Sequence, residues 1–257
     1  MNEWSRSRQR LILLIVMAVV VLLIGAPIFL IFYRAPTCFD SKLNGDETGI
    51  DCGGSCQLLC TAESLPLIVK GDPRVLTIAS STYEVIALIQ NPNTQGEIDR
   101  AQYIMRLYGA QSLTPIKVLE GETFVPKGTT FALFVPPFTI EDGSVPMRAT
   151  LEWKRETLVW QKNTAPVPEL LVKNNILSRQ DTTPRLTALV KNLSLEAVSN
   201  IDLVALISDA EGNVFAASKT IVDRLQAGEE TQIIFTWPRP FVAEAVGIDV
   251  YIRILPE

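Results

Sequence analysis

The sequence predicts an all-β protein behind an N-terminal transmembrane helix, with a small disulfide-rich module followed by two tandem β-sandwiches. Three observations carry that expectation. Leu11 to Tyr33 is an uncharged apolar run of 23 residues, all 4 cysteines lie between Cys38 and Cys60, and the rest of the chain alternates apolar and polar residues between turn signals. The expected divisions are a tail over 1–10, the helix over 11–33, a Cys-rich acidic module over 34–63, and sandwiches over 64–163 and 164–257.

As a helix the apolar run spans about 35 Å, enough for a hydrocarbon core of about 30 Å. A cleaved signal peptide competes, because basic residues precede the run and Gly25-Ala26 offers small side chains. Pro27 is a poor first residue for a mature chain, and Ile28 to Phe32 extend the run beyond what a signal core needs, so an uncleaved anchor is expected. Pro27 also removes a backbone donor and predicts a kink that a membrane helix tolerates. Arg6, Arg8 and Arg10 precede the run, against Arg34 and the more distant Lys42 beyond it. That bias predicts a single-pass protein with a cytoplasmic amino terminus and its bulk outside the cytosol, at the cell surface or in a periplasm. Trp4 and Tyr33 are expected at the two membrane interfaces.

The segment CFDSKLNGDETGIDCGGSCQLLC comes next. Cys38, Cys52, Cys56 and Cys60, crowded into a Gly- and acid-rich stretch, predict disulfides, and three pairings are open. Zinc is disfavoured because Cys-x3-Cys-x3-Cys lacks paired Cys-x-x-Cys knuckles. Asn44, Asp46, Thr48 and Asp51, with Gly49, echo the alternating oxygen ligands of a calcium loop and make calcium the candidate cofactor. The echo ends at Ser55, where such a loop carries a bidentate Glu. A solvated acidic turn held by two disulfides is the competing reading.

The chain carries 23 basic and 28 acidic residues; with Arg6, Arg8, Arg10 and Glu3 set aside, 20 and 27 remain for the exported part. Nucleic acid asks for a basic stripe and is excluded as a partner. About 220 exported residues suit two domains of roughly 100 each. Sliding the chain by 100 to 101 positions superposes Ala87-Leu88-Ile89-Gln90-Asn91 on Ala188-Leu189-Val190-Lys191-Asn192, Gly128 near Gly228, and Phe134 on Phe235. Two copies of one domain are expected, joined at Lys162 to Pro168 by a short, proline-stiffened linker.

Within the second copy, Leu186, Ala188 and Val190 alternate with Arg185, Thr187, Leu189 and Lys191, and Ile201, Leu203, Ala205 and Ile207 alternate with a mixed second face. Asp209 to Asn213 supplies a turn before the return strand at Val214 to Ala217. In the first copy Ile98 to Leu107 and Pro115 to Leu119 form the comparable hairpin around Gly109. Short strands between turns argue for antiparallel sandwiches.

The stretch VSNIDLVALISDAEGNVFAASKTIVDRLQAGEETQIIF, with VKN before it, resembles FxLYD-type domains and other immunoglobulin-like modules of prokaryotic surface proteins. The likeness covers about residues 184–237 well; in the first copy Met105-Arg106-Leu107-Tyr108-Gly109 is the nearest counterpart of the name-giving motif. It implies a seven-stranded sandwich used as spacer or binding module and carries no catalytic residue across. The cysteine segment resembles a repeat of exported microbial proteins, approximately CxDGxxNGxETGxDCGGxCxxC, with Ser41 where Gly is usual and three residues between Cys56 and Cys60.

Enzyme readings find little purchase. The chain has no histidine, which removes Ser-His and Cys-His pairs and histidine metal sites, and it lacks nucleophile-elbow, phosphate-loop and dinucleotide fingerprints. Glu141-Asp142 and Glu229-Glu230 fall at expected turns, where charge is the default. Two proline-containing ends, Val135-Pro136-Pro137-Phe138 and Trp237-Pro238-Arg239-Pro240-Phe241, offer Phe138, Trp237 and Phe241 as a partner-binding patch, or else simply stop strands and fold aromatics back on the core. Asn192-Leu193-Ser194 fits a glycosylation acceptor but sits at a strand end. The expectation is a non-enzymatic protein that presents its sandwiches to a protein partner or an envelope assembly. Calcium-dependent adhesion or sensing comes second, and an envelope hydrolase with an unrecognised site last.

Overall fold

The computed structural model describes residues 3–28 and 35–256. Its chain divides into two compact units, Met1–Ser55 and Cys56–Glu257. In the first, helix α1 (Glu3–Val20) runs into a widened π turn at Val21–Gly25 before helix resumes over 26–28. Pro27 has no N–H, and its ring crowds the carbonyl four residues back, so the expected disturbance takes the form of this wider turn. Arg8–Ile28 is long and apolar enough to cross a membrane. Residues 29–34, with Tyr33 and Arg34, lie outside the described residues, as do the side chains of Trp4 and Arg6.

The second unit is built from paired antiparallel sheets. Strands β1 (Ile68–Ala79), β2 (Thr82–Gln90) and β5 (Thr130–Thr139) form one sheet in the order β1-β2-β5. Against it lie β4 (Lys117–Val125), β3 (Gly96–Tyr108) and β6 (Arg148–Trp153) in the order β4-β3-β6, with the short β7 (Gln161–Lys162) also on β3. The second sandwich repeats that connectivity. One of its sheets holds β8 (Leu170–Ser178), β9 (Arg185–Asn192) and β12 (Glu230–Thr236), with β9 central; the other holds β10 (Val198–Ser208), β11 (Val214–Leu225) and β13 (Gly247–Ile254), with β10 central. Among the described residues it has six strands, one fewer than the family resemblance implies. The turn expected at 209–213 forms, with Gly212 at φ +79° and Asp209 Oδ1 accepting from the backbone N–H of Glu211 and Asn213.

Period-two alternation explains the cores. Val85, Ala87 and Ile89 of β2 pack with Met105, Leu107, Phe131 and Leu133 inside the first sandwich. Leu186, Ala188 and Val190 pack with Ile201, Leu203, Ile207 and Phe235 inside the second. Much of the other face of β2 and β10 is buried too. Ile86, Leu76 and Ala132 of the first sandwich meet Val204, Leu206 and Ala217 of the second in a third apolar core that joins them. The mixed face of β10 is therefore an internal surface. The linker is held as well: Lys127, almost wholly buried, donates from Nζ to Asn163 O (2.8 Å), Asn163 Oδ1 (3.0 Å) and Ala165 O.

Two asparagines at strand ends organise equivalent turns. Asn91 Nδ2 donates to Gly96 O and Pro126 O, while its Oδ1 accepts from Asn93 N. Asn192 Nδ2 donates to Glu196 O, Leu225 O and Gln226 O, while its Oδ1 accepts from Ser194 N. Gly128 and Gly228, both at positive φ, close the two turns. Asn192 is 0% exposed, so its amide is committed to the fold and closed to glycosylation in the native state. Asn192→Ala leaves three carbonyls and an N–H without their partner and is expected to cost about 2–3 kcal/mol, read as a lower midpoint of chemical denaturation.

Candidate binding cleft

The cysteines pair as Cys38–Cys56 and Cys52–Cys60, and none is free. No thiolate remains for zinc. Within the first unit, Asp51 accepts backbone N–H bonds from Asp40 (2.9 Å) and from Ser41 (3.1 and 3.0 Å). Asp46 Oδ1 accepts the Ser55 hydroxyl at 2.8 Å, and Thr48 is also engaged. Asn44 Nδ2 donates to Asp40 at 2.8 Å, while Asn44 Oδ1 is buried without a hydrogen bond. Asp46 and Asp51 therefore each spend carboxylate oxygens on partners inside the module. Ser41, at the position where the resembled repeat carries Gly, stands at φ +58°. A left-handed conformation costs a residue with a Cβ about 1 kcal/mol, so Ser41→Gly is expected to raise the thermal midpoint of the oxidised module by that equivalent.

The second unit begins at Cys56, inside the expected 34–63 module, and residues just after it pair with strands of the first sandwich. Leu59 N donates to Trp160 O (3.0 Å), Lys162 N to Gln57 O (2.6 Å), and Leu58 bridges Gln161. Leu59 then packs on the first core.

The proline ends serve two different purposes. Pro136 and Pro137 do not stop β5, which runs on to Thr139. Lacking N–H donors, they fall where the ladder with β2 slips: Tyr83 faces Phe138, and Val85 faces Val135. Phe138 packs back on the first core against Tyr83, ring centroids 6.3 Å apart. In the second sandwich β12 does end before the prolines. Trp237 is 8% exposed, donates from Nε1 to Ala217 O at 2.7 Å, and meets Phe241 edge to face at 5.2 Å; Phe241 meets Phe215 at 5.3 Å. The carboxylate pairs serve turns, Asp142 Oδ1 accepting from Ser144 N and Glu229 Oε2 from Gln226 N.

Trp237 and Phe241, but not Phe138, also line a cleft of about 610 Å³ between the sandwiches. Its first-sandwich wall is formed by the end of β1 with Phe134 and Pro137, its second-sandwich wall by 214–219 and 236–242. Glu84 lines it too. The β2 alternation that sends Val85, Ala87 and Ile89 inward turns Glu84 to the same side as Ile86, at the slip opposite the prolines. Glu84 is 5% exposed, and burial pushes its pKa from 4.5 up to about 7. The sequence reading missed Glu84, although a single carboxylate inside the otherwise apolar run Tyr83 to Ile89 was the available signal.

A second polar cluster fastens the two sandwiches beside the third core. Asp202 on β10 is 1% exposed; its Oδ2 receives Lys219 Nζ at 2.7 Å and Arg253 Nη2 at 3.0 Å. Arg253 reaches across to Thr123 Oγ1 (2.6 Å) and Phe124 O (3.3 Å), its guanidinium 5.2 Å from the Phe131 ring centroid.

No family model and no curated protein matches the chain. Among solved structures, the crystal structure of red sea bream transglutaminase is similar at 10% identity and a TM-score of 0.21, over 74% of this chain and 31% of that one. The chain thus spans about a third of that structure's length.

Proposed function

We propose that this chain is a single-pass, membrane-anchored structural or interaction protein that holds two coupled β-sandwiches outside the cytosol for a protein partner. The apolar helix and the β-rich body fit a membrane-anchored protein. The outward placement is supported by the basic residues before the helix and by two disulfides, which persist in oxidising compartments. Shared connectivity and the matching Asn91 and Asn192 turns support two copies of one domain.

The observation that carries the reading is the third core. Tandem domains joined only by a linker swing freely, whereas here an apolar contact, the Asp202 cluster and the Lys127 clasp hold both sandwiches in one orientation. Such a body presents a preorganised surface at low entropic cost on binding. The test is a reporter active only outside the cytosol, fused after Glu257, combined with crosslinking and pull-down from native membranes. An active reporter and a recurrent crosslinked protein support the proposal; a reporter active only in the cytosol, or a body that crosslinks to nothing, sinks it.

A further inference from the structure

We propose that the cleft between the sandwiches takes a lysine side chain of a protein partner, with the ammonium on the Glu84 carboxylate and the aliphatic stem among the aromatic and proline walls. This rests on the interaction role above and gives it a chemistry. Glu84 lines the cleft, is more than nine-tenths buried, and has no hydrogen-bond or ion-pair partner among the described residues. An unpaired buried carboxylate is unfavourable in the free protein, and a cation brought to it offsets that penalty.

The other charges lining the cleft are Lys219, whose ammonium is taken up by Asp202 at 2.7 Å, and Arg239, which is exposed in the Pro238–Pro240 loop. Glu84 is therefore the one acid there. Phe134, Phe215, Trp237, Phe241 and Pro137 line the cleft and supply apolar and aromatic surface for a four-carbon stem. Lysine fits better than arginine. Five guanidinium N–H donors meeting one carboxylate would leave several unpaired against apolar walls, whereas an ammonium carries three. A protein segment fits better than a free amine, because about 610 Å³ exceeds one side chain and Val242, 88% exposed at the rim, extends the apolar surface to flanking residues.

The test uses the full chain in lipid nanodiscs and three acetylated, amidated pentapeptides, Ala-Leu-X-Leu-Ala with X lysine, norleucine or arginine, plus hexylamine. At about pH 8.5 the lysine peptide is expected to bind about tenfold tighter than the norleucine peptide. At about pH 5.5 Glu84 is protonated while lysine stays charged, so the preference should shrink severalfold. Glu84→Gln should fold normally by circular dichroism and lose the preference at both pH values. Equal binding of the lysine and norleucine peptides, a preference that survives Glu84→Gln, or hexylamine or the arginine peptide binding as tightly as the lysine peptide would each overturn the proposal. If crosslinking on native membranes still captures a partner, the cleft chemistry alone has failed and the interaction role stands.

Discussion

Asp202→Ala is expected to destabilise the body by about 3–5 kcal/mol, because it strands Arg253 and Lys219 without the anion that holds both. Lys219 has the easier escape: its side chain is 30% exposed, and its stem can carry the ammonium into water. Arg253 is only 12% exposed and is fixed from the other side by Thr123 and Phe124, so its charge stays buried and unpaired. Against a typical total stability of about 5–15 kcal/mol, the loss falls on the contact between the sandwiches. Denaturation followed by tryptophan fluorescence should change from one transition to two as the halves uncouple. Asp202→Asn, which keeps the shape and one acceptor, should cost less. A single unshifted transition in Asp202→Ala would show that the apolar third core couples the sandwiches without the charges.

How much of this was legible in the sequence depended on whether a residue's partner lay nearby along the chain. Period two at Leu186, Ala188 and Val190 placed one face of β9 in a core, and the structure buries all three. The turn at 209–213 and the strand pairing about Gly109 were local enough to read from turn chemistry. The third core was not. Val204 and Leu206 read as a mixed face because Asp202 and Ser208 interrupt it, and only the second sandwich's approach to Ile86 and Ala132 shows that Asp202, Val204 and Leu206 are interior. A strand apolar on both faces is the available signal for burial on both sides, and β2 from Val85 to Ile89 carries it too.

The candidate site split along the same line. The two aromatic-proline ends were visible as motifs, but their shared spacing concealed different roles: Pro136 and Pro137 open the ladder beside Glu84, while Pro238 and Pro240 follow a finished strand. Alternating oxygens that make Asp51 a candidate ligand are a pattern of sequence, whereas the N–H bonds it accepts from Asp40 and Ser41 are a pattern of space. The disulfide pairing was out of reach for a simpler reason: spacing leaves all three connectivities open.

Glu84→Gln is expected to stabilise the protein at neutral and alkaline pH while leaving it unchanged at about pH 4. The folded state holds the Glu84 proton up to about pH 7, whereas the unfolded chain releases it near the ordinary 4.5. Between those values the folded state binds more protons than the unfolded one, so this group's contribution falls as pH rises through that window and levels off above it. A displacement from 4.5 to about 7 corresponds to about 3 kcal/mol. The wild-type thermal midpoint should therefore drop from about pH 5 to about pH 8 relative to Glu84→Gln, with the two curves converging near pH 4. Parallel curves would mean that the carboxylate is hydrated in the cleft and carries no penalty. A diverging pair would identify Glu84 as a stability liability that no contact within the described chain repays, which is the pattern of a residue retained for what enters the cleft. Adding the lysine peptide to the wild type at about pH 8 should then recover part of the lost midpoint, and adding it to Glu84→Gln should recover less.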